Sequence, residues 1–313
     1  MHNGGKDRGK NANESPATGG TYLLEVATPQ STRKLKQITA ARIKFEWEHY
    51  SELARQRSAI QDKIKQSLIQ TSISYEIKNW QRAVKYKYCL HPLSTQGSLA
   101  YIGGRFNTGM SVNSEVPVFP GLYLAQNKDT ALQEHLGQEG TKENFKLTPR
   151  ELALTNPASE TIVSINGQFD KIFDLTNISN LDPFVELIKN FKLSQRIRAH
   201  ANKLGRENPL VIKTTELLHA TLLDPKWREF PSNYDVPANS QIFGHLVYSA
   251  GIEGILYRSK FTDLPCLVIF PRNFFGTDSC VYLNDDVPDE KVPRKLDAMT
   301  WRLSEMDIKE IQG

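Results

Sequence analysis

Cysteine is scarce: Cys89, Cys266 and Cys280 are the only three in 313 residues, and no two of them form a short pair with a histidine nearby. This excludes a disulfide framework and a zinc knuckle, so no metal is expected and a reducing compartment is the economical reading. Long apolar runs are missing too. No stretch approaches the roughly 18 residues that would span a bilayer, so no membrane partner is expected. The opening MHNGGKDRGKNANESPATGG lacks the apolar core of a secretion signal, which makes a cytoplasmic protein the expectation. Nor does charge of one sign dominate: 39 basic and 35 acidic residues leave a net +4. That bias permits an anionic partner, nucleic acid included, without indicating one.

What is present divides into a polar tail, a helical stretch and a mixed body. Residues 1–20 are rich in Gly, Asn and Lys with hardly any apolar content, so they cannot offset the entropy of ordering and read as a mobile tail. From about Leu35 to Ile69, Ile38, Phe45, Leu53, Ile60, Ile64 and Leu68 recur at intervals of four, seven or eight, which puts an apolar stripe on a helix. The stripe fits a partner-binding or dimerising arm, and it equally fits a helix packed on its own body. A break is predicted near residues 71–74, then a short helical or extended piece through Tyr75, Ile77 and Trp80.

Further on, residues 121–125 read as a strand and the segment from Asn127 as a helix, with Asn127 capping its first amides and placing Glu134 on that helix just behind the strand end. Residues 161–166 read as a strand, an Asn166-Gly167 turn follows, and residues 170–175 continue the sheet. Helices are predicted over 181–196, 211–223 and 240–250, loops at 224–225 and 230–233, and strands at 255–257 and 266–270. The class is α+β, a mixed sheet with surrounding helices. The boundaries expected are a disordered tail over 1–20, a helical extension over 21–79, a catalytic domain with an insertion over 80–275, and a C-terminal extension packed on it over 276–313.

The densest chemistry lies in Gly103-Gly104-Arg105-Phe106-Asn107-Thr108-Gly109. Two glycines allow a tight turn and close approach to a ligand, and a guanidinium offers a fork for phosphate oxygens. No Gly-Lys-Ser or Gly-Lys-Thr follows, and the spacing is not that of a dinucleotide fingerprint. The loop is therefore either an anion-holding turn or a structural turn with a solvated arginine. Glu134 could stabilise positive charge on a sugar or grip a ribose hydroxyl if the fold sets it opposite Arg105, and is otherwise a surface helix residue. Tyr123 could stack on a planar ring, donate its hydroxyl or serve the core. Ser259, between Arg258 and Lys260, has no Gly-x-Ser-x-Gly elbow around it and is not an acyl-transfer nucleophile.

Taken in order, GGRFNTG at 103–109, GLYLAQNKDTALQEHL at 121–136 and GIEGILYRSKF at 251–261, with a looser match through PANSQIFGHLVYSAG at 237–251, resemble the RES domain. This family is named for an arginine, a glutamate and a serine. The resemblance covers about residues 80–270. It implies an ADP-ribosyltransferase-like fold and an activity directed at NAD, by phosphorolysis with inorganic phosphate as co-substrate or by hydrolysis. It also implies membership of toxin–antitoxin pairs, with a cognate antitoxin bearing a helix-turn-helix domain as partner; a homo-oligomer is compatible with it. Carried over, the catalytic residues are Arg105, Glu134 and Ser259, and the substrate-binding ones Arg82, Arg105, Tyr123, Ser259 and Gln241. The earlier arginine of the family matches Arg82, with Lys85 as competitor. The extension before residue 80 and the large region from 137 to 235 depart from a compact toxin. Protein ADP-ribosylation and a non-enzymatic nucleic-acid or protein-binding module are the other readings.

Overall fold

A computed structural model describes residues 29–85, 88–113, 115–136, 160–205, 211–287 and 292–306; the tail over 1–20 lies outside them. The chain divides into two units, 1–40 and 41–313, and the described part of the first is the opening of helix α1 (Pro29–Ala59). From Ala41 onward α1 packs on its own body. Phe45 is buried against Leu193, Ile197 and Ala201, and the Glu48 carboxylate meets Arg196 Nη2 at 2.7 Å and His200 Nδ1 at 3.0 Å. Helix α2 (Gln61–Gln70) follows, with Ile64 and Leu68 fully buried.

The next element corrects the expected end of the helical extension at 79. Strand β1 runs Ser72–Lys85, so the sheet starts with residues placed in the extension. After α3 (Gln96–Leu99) come β2 (Leu122–Ala125), α4 (Lys128–Leu136) and β3 (Glu160–Asp174). A helical group follows: α5 (Asp182–Ile188), α6 (Gln195–Lys203), α7 (Thr215–Leu222), α8 (Glu229–Tyr234) and α9 (Asn239–Ser249). Strands β4 (Gly254–Arg258), β5 (Pro265–Ile269), β6 (Cys280–Leu283) and β7 (Lys295–Leu296) complete the sheet.

The strand order is β1-β2-β5-β4-β3-β6-β7, and a further β1–β3 pairing closes the first five strands into a ring. Among the described residues only the β3–β4 pairing is parallel. The sheet is thus mixed and flanked by helices, as expected.

Three local expectations give way. The Asn166-Gly167 turn is absent, because β3 is one strand paired along its length with β1, with Gly167 opposite both Ile77 and Val281. A Cβ on Gly167 would sit 2.8 Å from the Cys280 carbonyl oxygen, so glycine here serves a close strand approach. The helix expected over 181–196 is two, α5 and α6, and the loop at 230–233 lies inside α8. The region from 137 to 235 is likewise no plain insertion, since it contains β3, which pairs with β1, β4 and β6. In the same way the C-terminal extension supplies β6 and β7 to the sheet.

Strand alternation sorts the core onto two faces. Leu122, Leu124, Leu256, Leu267 and Ile269 enter one cluster. Tyr123, Ala125, Ile255, Tyr257, Cys266 and Val268 turn to the other, where helices cover them. The candidate site lies on this second face.

Candidate active site

The loop over 102–109 is held from inside by Asn107, which is fully buried. Its Nδ2 donates to the carbonyls of Ser98 at 2.8 Å and Phe119 at 3.0 Å. Its Oδ1 accepts from Gly104 N at 3.0 Å and from the Tyr123 hydroxyl at 2.8 Å. That hydroxyl in turn accepts from Phe106 N at 3.0 Å. Gly103 takes φ +87°, and a Cβ on Gly104 would stand 2.4 Å from the Tyr123 oxygen. Both glycines are therefore required by the turn's geometry, and the turn presents Arg105.

Behind the loop stands Gln241, on α9 and fully buried. Its Nε2 lies 2.8, 3.1 and 3.0 Å from the carbonyl oxygens of Ile102, Gly104 and Asn107, and donates to them. Its Oε1 accepts from Ala238 N at 3.1 Å. The expected ligand contact of Gln241 is corrected on this ground: every polar position of its amide is spent on backbone, and it does not line the cavity in front of the loop.

That cavity measures about 510 Å³, within the range of small-molecule sites. Arg82, Arg105, Tyr123 and Glu134 all line it. Arg105 is 7% exposed and donates from Nη1 to the Asp224 carbonyl at 2.8 Å. Arg82, on β1, donates from Nη2 to the Ser94 carbonyl at 2.7 Å, while its buried Nε has no partner among the described residues. Burial pulls the Arg82 guanidinium down to about 10. Lys85 shares the same wall, so both candidates for the earlier cation reach the cavity.

Glu134 is presented by α4, whose start is set as the sequence suggested: Asn127 Oδ1 accepts from Thr130 N at 2.9 Å. Ser259 lies just past β4 and its hydroxyl donates to Glu134 Oε1 at 2.6 Å. The Ser259 hydroxyl oxygen itself accepts from Phe261 N at 3.1 Å, and Ser259 is 2% exposed and outside the cavity lining. It thus reaches the cavity only through Glu134. The Tyr123 hydroxyl is similarly occupied by Phe106 N and Asn107 Oδ1. Burial holds the Glu134 carboxyl above its ordinary value, while the Ser259 hydrogen bond and the charges of Arg105 and Arg228 oppose it.

Three residues escaped the sequence reading. Trp227 and Arg228 line the cavity from the stretch between α7 and α8, where Asp224-Pro225 signalled only a loop. An adjacent Trp-Arg pair in a polar loop was the available signal. His135, next to Glu134, also lines the cavity and lies 3.0 Å from the buried Glu160 through Nε2. Among the described residues no group of three or more His, Cys, Asp or Glu is arranged to hold a metal ion, and no helix is long and apolar enough to cross a membrane.

No curated protein sequence matches the chain. Among solved structures, a chain of the M. tuberculosis MbcT-MbcA toxin-antitoxin complex aligns at 15% identity and a TM-score of 0.39, covering 77% of this chain and 97% of that one. The sequence pattern of the RES domain matches residues 79–294, well over half of the protein. The chain belongs to the RES domain family.

Proposed function

We propose that the protein cleaves the bond between nicotinamide and ribose in NAD, with phosphate as the preferred acceptor. The observation that carries this reading is that Arg105 and Glu134, 29 positions apart in sequence, line one cavity with Ser259 bonded to the carboxylate. Nicotinamide leaves as a neutral molecule with the electron pair of the broken C–N bond, so the sugar carbon gains positive character and no strong acid is needed. Glu134, as carboxylate, faces that charge or holds a ribose hydroxyl. Arg82, with Lys85 beside it, and Arg105 hold anionic oxygens, and Arg forks suit phosphate. The Tyr123 ring packs beside the nicotinamide or ribose. Ser259 acts as a positioning residue for Glu134 rather than touching substrate. Phosphate attack forms a new C–O bond and gives ADP-ribose-1″-phosphate; water attack gives ADP-ribose and a proton. The family resemblance adds a toxin role with a cognate antitoxin as partner.

Incubating the purified protein with NAD, with and without phosphate, should release nicotinamide faster with phosphate and yield the phosphorylated sugar. An added protein that gains an ADP-ribose mass while no free ADP-ribose species appears would replace this reading with protein modification.

A pH profile tests the carboxylate. Glu134 must be ionised to face a cationic sugar, and burial raises its value, so activity should climb with pH through a midpoint above the ordinary 4.5. Ser259→Ala removes a donor that favours the ionised form, so its limb should move to still higher pH. A limb that stays put or moves down in Ser259→Ala would remove the positioning role.

A further inference from the structure

The stretch 224–228 is built into the cavity wall through the arginine of the glycine loop. Asp224 O accepts from Arg105 Nη1 at 2.8 Å. Trp227, 3% exposed, has the Arg228 guanidinium 4.7 Å from its ring centroid and that of Arg105 5.9 Å away. One indole thus organises two guanidiniums, and its face attracts both. Arg228 lines the cavity with Glu134 and is otherwise exposed to solvent. Burial and the Arg105 charge lower its guanidinium, with Glu134 pulling the other way.

The cavity therefore carries cations in two groups. Arg82 and Lys85 come from β1, whereas Arg105 and Arg228 come from the glycine loop and the stretch before α8 and share the Trp227 ring. Two guanidiniums beside a single half-buried carboxylate leave an excess of positive charge on this wall, which favours binding of an anion. A dinucleotide brings one diphosphate. Arg82, whose Nε is buried and unpartnered, and Lys85 suit that group, which leaves the second pair for another anion beside the carboxylate that faces the reacting sugar.

We infer that Arg228, oriented by Trp227 and acting with Arg105, binds the inorganic phosphate that attacks the sugar carbon, and so selects phosphorolysis over hydrolysis. This rests on the NAD-cleaving reading. In the balanced step a phosphate oxygen forms the new bond to the sugar carbon as the bond to nicotinamide breaks and nicotinamide departs with the electron pair. Nothing is oxidised or reduced.

The test is a phosphate titration of the parent, Arg228→Gln and Arg228→Lys proteins, reading nicotinamide release and the ratio of ADP-ribose-1″-phosphate to ADP-ribose, with thermal melting as the fold check. Arg228→Gln should need at least about 10-fold more phosphate for half-maximal phosphorolysis, since a charged, forked contact to an oxyanion is lost. The KM for NAD should rise by a smaller factor, and the product ratio should shift toward ADP-ribose. Arg228→Lys should recover part of the phosphate dependence, because it keeps the charge and loses the fork. An unchanged phosphate requirement in a folded Arg228→Gln protein overturns the assignment. So does a parent that cleaves NAD at a rate and with a product indifferent to phosphate, while leaving NAD cleavage itself standing. A parent that releases no nicotinamide removes both.

Discussion

A Glu134→Gln protein is expected to release nicotinamide from NAD at least about 100-fold more slowly than the parent while remaining folded. The substitution keeps the shape of the side chain, and an amide oxygen can still accept from the Ser259 hydroxyl, which stands 2.6 Å from Oε1 in the parent. It removes only the charge. Since burial already penalises that charge, the folded state need not suffer from its loss. The transition state does suffer, because a half-buried carboxylate facing a developing cation acts with less screening by water than one at the surface. The variant should also lose the acid limb of the pH profile, since it resembles the protonated parent at every pH. Nicotinamide release followed over a pH series, beside a melting curve, checks both expectations. A folded variant within about threefold of the parent rate would end the electrostatic role of Glu134, as that difference is worth well under 1.4 kcal/mol.

The second large effect falls on stability. Gln241→Leu should destabilise the protein by about 3 kcal/mol or more, because the lost amide leaves the Gly104 and Asn107 carbonyls and the Ala238 N–H without partners, while the Ile102 carbonyl keeps only Gly109 N. Leucine fills similar space but offers no donor. Gln241→Glu should be at least as damaging: it keeps an acceptor for Ala238 N and sets a carboxylate against carbonyl oxygens that need a donor. Activity should fall with stability, since the carbonyls of Ile102, Gly104 and Asn107 flank Arg105 on both sides. Urea unfolding of the parent and both variants measures the effect. A Leu variant with the parent's midpoint would show that the loop holds its shape without this clamp.

Much of the body was legible because it is locally encoded. The strand at 122–125 and the helix behind it follow from a short apolar run, an Asn cap and the apolar residues Ala131 and Leu132 on the covered side. The glycines at 103 and 104 announced a tight turn around Arg105, and the turn is there. What local pattern misread was continuity. Asn166-Gly167 has the composition of a hairpin turn, yet it runs straight through β3 because β1 and β6 pair with it from both sides. A partner strand more than eighty positions away outweighed the dipeptide's own preference.

Residue types in order along the chain determined the family resemblance, the mixed α+β class and the candidate set of Arg82, Arg105, Tyr123, Glu134 and Ser259. Tertiary structure alone decided what each polar group has left to give. It bound Gln241 to backbone, turned the Ser259 hydroxyl onto Glu134, and carried Trp227 and Arg228 into the cavity from a stretch with no motif. The reason is physical: a side chain's spacing in sequence fixes its chemistry, whereas its free donors, its burial and its neighbouring charges depend on contacts across more than a hundred residues of chain.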